Sequence, residues 1–192
     1  VLGNTLVYMY VGCGLLTDAQ RLLEGLPVRD AISWSTLISG YTQYGLCIEA
    51  LNCFEQMEYE GFSPNVVTFV SVLKACGSLG ALYQGYIIDD LLRRHNIDLD
   101  VVLGTTLIEM YVNCGHLKDA YKVITDLPSR NNVSWSAMIA GCSNYQQAIQ
   151  YFKSMLSSGI RPNDVTFIGL LSACCQAGCV NEGCHHFKSM TL

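Results

Sequence analysis

Apolar residues recur at helical spacing along the chain. Trp34, Leu37, Ile38 and Tyr41 form one stripe, and Ile48, Ala50, Leu51, Phe54 and Met57 form the next. Gly45 interrupts the pattern between them, and Gly61 with Pro64 ends it. The segment therefore reads as two helices joined by a tight turn. A helix of about 12 residues is ~18 Å long. One such pair cannot cover its own apolar face, so neighbouring pairs must stack to build a core.

The same wording returns further along. Leu6-Val7-Tyr8-Met9-Tyr10-Val11-Gly12-Cys13-Gly14 reappears as Leu107-Ile108-Glu109-Met110-Tyr111-Val112-Asn113-Cys114-Gly115, at an offset of 101. Asp18-Ala19, Leu26-Pro27 and Ser33-Trp34-Ser35 keep that offset as Asp119-Ala120, Leu127-Pro128 and Ser134-Trp135-Ser136. Beyond them the offset falls to 98: Pro64-Asn65 matches Pro162-Asn163, Val67-Thr68-Phe69 matches Val165-Thr166-Phe167, and Ala75-Cys76 matches Ala173-Cys174. Three residues are missing from the later copy, and the segment from Gly141 to Tyr145, shorter than its counterpart from Gly40 to Cys47, is the expected place.

The long unit divides again, because a V-x-(apolar)-x-x-L-(apolar) block opens each sub-repeat. Openings fall one residue before Val1 and at Ala31, Val66, Val101, Asn132 and Asp164, spaced by 31, 35, 35, 31 and 32 residues. The expected units are 1–30, 31–65, 66–100, 101–131, 132–163 and 164–192, in one array without a linker. The chain starts at Val1 rather than Met and stops at Thr191-Leu192 within a helical pattern, so both ends are expected to be cuts from a longer protein.

Composition changes this picture little. Net charge is −5, and the eleven Lys and Arg residues are scattered, whereas phosphate contacts favour clustered cations. No apolar run approaches the ~20 residues of a membrane span. The ten cysteines would suit disulfides in a small secreted domain, but several recur in one repeat slot, such as Cys13 and Cys114. They read as small buried side chains in a reducing compartment.

Catalytic and metal motifs are missing. No His is followed two residues later by Glu, no Pro precedes a Cys, and there is neither a phosphate-binding G-x-x-x-x-G-K-[ST] nor a G-x-G-x-x-G. Cys174, Cys175, Cys179, Cys184, His185 and His186 crowd the last unit without tight C-x-x-C spacing. Core substitution is the preferred reading over a zinc site. Tyr8, Tyr10, Tyr111, Trp34 and Trp135 hold fixed repeat positions and are likewise read as core rather than as stacking platforms for bases. No enzyme activity, cofactor or metal is expected.

Ankyrin's T-P-L-H is absent, and the tetratricopeptide period of 34 is not kept. Ile32-Ser33-Trp34-Ser35-Thr36-Leu37-Ile38-Ser39-Gly40-Tyr41, Glu49-Ala50-Leu51-Asn52-Cys53-Phe54-Glu55-Gln56-Met57 and Gly61-Phe62-Ser63-Pro64-Asn65 resemble the pentatricopeptide repeat closely. The alternation of 31- and 35-residue units is similar to the plant PLS subclass, in the order short, P, long, short, P, long. The last two units resemble those near the end of such a repeat tract. The resemblance implies an all-α fold, a right-handed α-solenoid superhelix of tandem helix-turn-helix repeats.

It also implies sequence-specific binding of single-stranded RNA, one base per repeat. In the family the fifth residue of a repeat and its last residue choose the base, and the second residue sandwiches it. Carried over, the reading pairs are Asn4 with Asp30 (uracil-like) and Ser35 with Asn65, Thr105 with Asn131 and Ser136 with Asn163 (all adenine-like). Val70 with Asp100 cannot hydrogen-bond a base in this way, and Ile168 has no visible partner. The sandwich positions are Val1, Ile32, Val67, Val102, Val133 and Val165. The bland alternative is that Ser and Thr near a helix start are caps.

The expected function is RNA recognition in an organellar RNA-processing factor, with C-to-U editing-site recognition foremost. Single-stranded organellar RNA is the expected partner, together with editing-complex proteins or a deaminase acting in trans, and no membrane. Mitochondrion or chloroplast is the expected address, the mitochondrion slightly preferred. The alternative class is a protein-interaction scaffold, which the acidic charge favours.

Overall fold

The computed structural model describes residues 2–127, 131–142 and 144–190, and the regular structure among them is α-helical throughout. Val1, Pro128, Ser143, Thr191 and Leu192, on which expectations above fall, lie outside the described residues. The chain divides into two compact units, Val1–Asp98 and Leu99–Leu192. The first holds α1 (Leu2–Gly12), α2 (Leu16–Gly25), α3 (Ala31–Gln43), α4 (Cys47–Tyr59), α5 (Val66–Leu79) and α6 (Leu82–Arg94). The second holds α7 (Val101–Asn113), α8 (Leu117–Asp126), α9 (Asn132–Ala140), α10 (Tyr145–Ser157), α11 (Asp164–Ala177) and α12 (Val180–Ser189).

Within each unit the odd-numbered helices lie side by side, α1 on α3 on α5 and α7 on α9 on α11. An even-numbered helix packs on its own partner, and α2, α4, α8 and α10 also pack on the next odd-numbered helix. The turn inside a pair repeats one device. Gly14, Gly45, Gly80, Gly115 and Gly178 take positive φ, and the next residue's N–H reaches the carbonyl five residues back: Leu15 to Tyr10, Leu46 to Tyr41, Ala81 to Cys76, His116 to Tyr111, Cys179 to Cys174. This left-handed stop satisfies carbonyls that the helix end orphans.

The fifth pair departs from it. α9 has nine residues where α3 has 13, so the three-residue deletion removes the end of the first helix. Gly141 keeps a helical φ of −78°, and Asn144 takes over by capping α10 through the Gln146 N–H. The short units are shorter elsewhere. Their second helices, α2 and α8, have 10 residues against 13 for α4 and α6, and end on extended Leu26 and Leu127.

The core sits between the helix layers. Trp34, Leu37, Ile38 and Tyr41 are buried, as are Phe69, Val72, Leu73 and Cys76 on α5 and Trp135, Met138 and Ile139 on α9. Both Trp Nε1 atoms are buried without a hydrogen-bond partner among the described residues, a cost of ~1–3 kcal/mol each that the indoles' apolar burial must exceed. Cys76 and Cys174 share one buried slot as expected.

Other expectations need correction. Ile48 is exposed, and Cys47 and Cys53 take the inner face of α4 instead. Cys13 is exposed and Cys114 half-buried, because both sit in the turn at the helix end rather than in the core. In the last unit Cys175 and Cys184 are exposed and Cys179 half-buried. They line an apolar groove of about 480 Å³ with Leu171, Val180 and Phe187 rather than filling a core. Burial pushes the Cys53 thiol up to about 12 and the Cys142 thiol up to about 11, so both stay protonated at neutral pH.

Glycine permits the closest helix approach. A Cβ on Gly169 of α11 would lie 2.9 Å from the backbone N and Cα of Ala140 on α9, and backbone cannot step aside. Gly169→Ala should therefore destabilise the chain by about 1–3 kcal/mol. Gly12→Ala, at a helical position with open space around it, should be neutral or gain up to about 1 kcal/mol. Thermal or urea unfolding of the two variants against the parent checks both signs.

Candidate functional site

Five β-branched side chains sit on the odd-numbered helices where the core has no use for them. Ile32, Val67, Val102, Val133 and Val165 are each 50–63% exposed. Each is the second residue of its helix, and on four of the helices a buried apolar side chain (Trp34, Phe69, Leu103, Trp135) follows within two residues. Within each unit, such residues at one recurring position leave apolar surface facing solvent.

Between two of them the surface becomes concave. A groove of about 320 Å³ in the first unit is lined by Tyr8 and Val11 of α1, Ile32, Ser35, Thr36, Ser39, Gly40 and Gln43 of α3, and Asn65 and Val67 at the start of α5. Its flanks are apolar, its polar lining carries hydroxyls and the Gln43 and Asn65 amides, and no Lys or Arg is among the described residues that line it.

The polar floor follows from how each odd-numbered helix starts. Asp30, Asn65, Asp100, Asn131 and Asn163 are extended N-cap residues, and their side chains accept from the backbone N–H of Ser33, Thr68, Leu103, Ser134 and Thr166. At Asn65 and Asn163 a capping box closes reciprocally through the Thr hydroxyl. The helix caps are therefore the last residues of the expected repeats, not the Ser and Thr at the fifth positions.

Those fifth residues hydrogen-bond into the caps. Asn4 donates to Asp30 Oδ2 at 2.6 Å and accepts from Ser33 Oγ at 2.6 Å. Ser136 donates to Asn163 Oδ1 at 3.1 Å and meets Thr166 Oγ1 at 2.7 Å. Ser35 lies 2.7 Å from Thr68 Oγ1, which donates to Asn65 Oδ1 at 3.1 Å. Thr105 lies 2.9 Å from Ser134 Oγ, whose backbone N–H donates to Asn131 at 2.8 Å. All four expected pairs come together: two directly, Ser35 with Asn65 through the Thr68 hydroxyl, and Thr105 with Asn131 through Ser134, whose hydroxyl meets the one and whose backbone N–H meets the other. The shortened fifth unit leaves this arrangement intact, because its deletion lies at the far end of α9.

What each pair can offer a ligand differs from simple exposure. Ser35 and Ser136 are almost fully buried, whereas Asn65 and Asn163 are half-buried. The Oδ1 of each Asn is occupied by donors, and its Nδ2 has no hydrogen-bond partner among the described residues. The free groups are thus amide donors. Hydrogen bonds from the Ser33 N–H, then from Asn4 and the Ser33 hydroxyl, hold the Asp30 carboxyl below its ordinary value, against the opposing effect of burial. Val70 is half-buried and Ile168 exposed.

One lining residue escaped sequence reasoning. Tyr8 is 70% exposed in the groove rather than in the core, because it lies on the outward face of α1. The signal was its counterpart Glu109, a charged residue that no core position would take. Tyr10 is half-buried, and Tyr111, Trp34 and Trp135 are buried. Among the described residues no group of three or more His, Cys, Asp or Glu is placed to hold a metal ion, and no helix is long and apolar enough to cross a membrane.

Comparison with known proteins follows the same lines. The family model described as PPR repeat family matches residues 29–78 and 130–176, and that described as PPR repeat matches 105–132 and 165–191. A pentatricopeptide repeat-containing protein of Arabidopsis thaliana is 41% identical over 194 residues, covering 98% of this chain and 24% of the relative. A mitochondrial one from the same plant is 40% identical over 190 residues, 97% of this chain and 34% of the relative. A chloroplastic one is 41% identical over 193 residues, 98% of this chain and 26% of the relative. The chain thus spans about a quarter to a third of the length of these relatives. Among solved structures, the pentatricopeptide repeat protein PPR10 from maize superposes with a TM-score of 0.78 at 18% identity, over 98% of this chain and 28% of that one. The same protein in complex with an 18-nt psaJ RNA element gives 0.75 at 20% identity, over 98% and 29%.

The caps lead to two expectations. Asn163→Ala should cost about 0.5–2 kcal/mol by orphaning the Thr166 N–H, read as a lowered urea midpoint. The depressed Asp30 carboxyl contributes stability that is present above its unfolded value of 3.8 and lost as pH falls through its lower folded value. Acid titration should therefore destabilise the parent more than Asp30→Asn, which keeps a capping side chain but cannot titrate there.

Proposed function

The chain belongs to the pentatricopeptide repeat family, and on that footing we propose that it is a sequence-specific, single-stranded RNA-binding module that takes one base per repeat. The observation that carries this reading is the groove of about 320 Å³ between Ile32 and Val67, with Asn65 and Ser35 beneath it. A planar base slid between two half-exposed β-branched side chains covers apolar surface that the fold leaves open. Fully burying such a side chain is worth ~1.5–3 kcal/mol, so covering the exposed half of one yields about 1 kcal/mol. The Asn65 amide donor then meets an acceptor on the base edge.

The family's code, carried over by resemblance, assigns Asn4 with Asp30 to uracil and Ser35 with Asn65, Thr105 with Asn131 and Ser136 with Asn163 to adenine. Val70 with Asp100 and Ile168 read no base. Val1, Ile32, Val67, Val102, Val133 and Val165 sandwich. With the amino end toward the RNA 5′ end, the footprint is U-A-N-A-A-N. The repeat boundaries given above, at 30, 65, 100, 131 and 163, go with this assignment.

The setting we propose is an organellar RNA-processing factor of the PLS subclass that marks C-to-U editing sites. The alternation of 31- and 35-residue units supports the subclass. The mitochondrial and chloroplastic names of the relatives support an organellar address, and an RNA complex exists for a structural neighbour. The deaminase would be supplied by another part of the protein or by a partner in trans. A protein-interaction scaffold is the second reading, favoured by the net charge of −5 and by a groove without cations.

Stacking contributes ~1–3 kcal/mol per base against an association cost of ~4–15 kcal/mol. Four readable bases therefore give weak binding, best measured at low salt. Fluorescence anisotropy with U-A-N-A-A-N RNA and with a version carrying C at the three adenines should separate the two. Equal affinity for both would sink the base assignment. Binding to neither, alongside capture of an acidic-surface-dependent protein partner, would favour the scaffold.

A further inference from the structure

In four places the fifth residue of one repeat touches the third residue of the next. Asn4 meets Ser33 at 2.6 Å, Ser35 meets Thr68 at 2.7 Å, Thr105 meets Ser134 at 2.9 Å and Ser136 meets Thr166 at 2.7 Å. The partner is a hydroxyl each time. Where the fifth residue is the apolar Val70, the third residue of the next repeat is Leu103. Capping does not explain this pattern. Asp100 caps α7 through the Leu103 N–H at 2.8 Å with no hydroxyl present. The hydroxyl accompanies a polar fifth residue, not the cap.

Proton accounting says what the hydroxyl does. Thr68 Oγ1 accepts from the Asn65 N–H at 3.3 Å and can donate to Asn65 Oδ1 at 3.1 Å or to Ser35 Oγ at 2.7 Å. Ser35 has one hydrogen, which goes to the Ala31 carbonyl at 2.6 Å or to Thr68. In either arrangement the Ser35 hydrogen stays inside the protein, and Ser35 faces the groove as an acceptor only. Asn65 Oδ1 is turned to the Thr68 N–H at 3.0 Å, which leaves Nδ2 for the groove. Around Asn163 the Thr166 N–H donates to Oδ1 at 3.0 Å, and the Thr166 and Ser136 hydroxyls lie 2.8 and 3.1 Å from it, one of their two hydrogens being taken by their own 2.7 Å contact. A flipped amide would set its NH₂ against the Thr166 N–H, a group that can only donate.

We infer that Thr68 and Thr166 are positioning residues that fix the donor and acceptor directions of the preceding repeat's base-reading pair, so base preference at one position is set jointly with the following repeat. This rests on the RNA-binding reading above. Neither threonine is exposed, so neither contacts the base itself.

Thr68→Val in the full 192-residue chain keeps the shape and removes the hydroxyl. Affinities for U-A-N-A-A-N RNA carrying A or G at the second base, whose edges present opposite donor and acceptor orders, should show the A-over-G ratio falling about 3- to 10-fold, the worth of one hydrogen bond. The ratio at the fifth base, read through Thr166, should stay unchanged, and Thr68→Ser should restore the second. An unchanged ratio in Thr68→Val, with the parent discriminating, overturns the inference alone. A uniform loss of affinity with the ratio kept makes the threonine merely structural and also overturns it. A parent that discriminates nowhere refutes the RNA-binding reading and takes the inference with it. If Thr68→Val fails to fold by circular dichroism, Thr166→Val with the variable base moved to position five reads the same outcomes.

Discussion

A helix pair of this length always has one apolar face too many, and the molecule is organised around covering it. Within each unit the cover is the next pair, laid against the odd-numbered helix. The approach is limited by whatever stands between the backbones. Gly169 removes a Cβ against Ala140, and Gly40 removes one that would lie 2.5 Å from a Val11 methyl. Because α1, α3 and α5 are drawn side by side in this way, their first turns fall into a row. The second residue of each helix is left outside the contact. The exposed Ile32, Val67, Val102, Val133 and Val165 are thus a by-product of stacking that leaves apolar surface open to solvent.

The start of each odd-numbered helix carries the second constraint. Four N–H groups are orphaned at a helix start, and here an Asn or Asp answers the first need every time. In four places the fifth residue of the earlier repeat hydrogen-bonds to this helix start. The fifth unit tests how robust this is. It loses the end of α9 and the left-handed glycine, replaces the turn by an Asn144 cap, and still holds Ser136 at 3.1 Å from Asn163. Damage at one end of a short helix does not propagate to the other, because the cap and the Trp135 anchor set the first turn independently.

Much of the fold was legible in the sequence because repetition gives each position several witnesses. Helix starts at Ala31, Val66, Val101, Asn132 and Asp164 follow the block openings read from spacing. The failures share one cause, a position judged from its own chemistry rather than from its counterpart. Tyr8 and Ile48 look like core residues, yet their counterparts Glu109 and Gln146 are polar, and both apolar copies are exposed. Cysteine is ambiguous for a different reason. It is small enough for a buried slot, as at Cys76, and equally at home in a turn, as at Cys13. The four expected pairs could be named from the sequence, but not the third-position hydroxyls that their fifth residues touch. Ser33, Thr68, Ser134 and Thr166 had every appearance of ordinary helix-start residues, and only three-dimensional distances tie them to the repeat before.

The cap and the reading pair share atoms, and this sets the character of any recognition the surface performs. Asn65 Oδ1 and Asn163 Oδ1 stabilise the fold whether or not a ligand is present, so only Nδ2 is left to discriminate. A reader built from an already satisfied amide loses little entropy on binding, since its orientation is fixed in the free protein. It also gains little, one donor at a time, from a groove that has no cation to hold a phosphate. Affinity must then come from the number of repeats engaged, while selectivity comes from rigid donors of known direction. A chain with net charge −5, and a groove without Lys or Arg among the described residues that line it, adds no electrostatic pull on a polyanion.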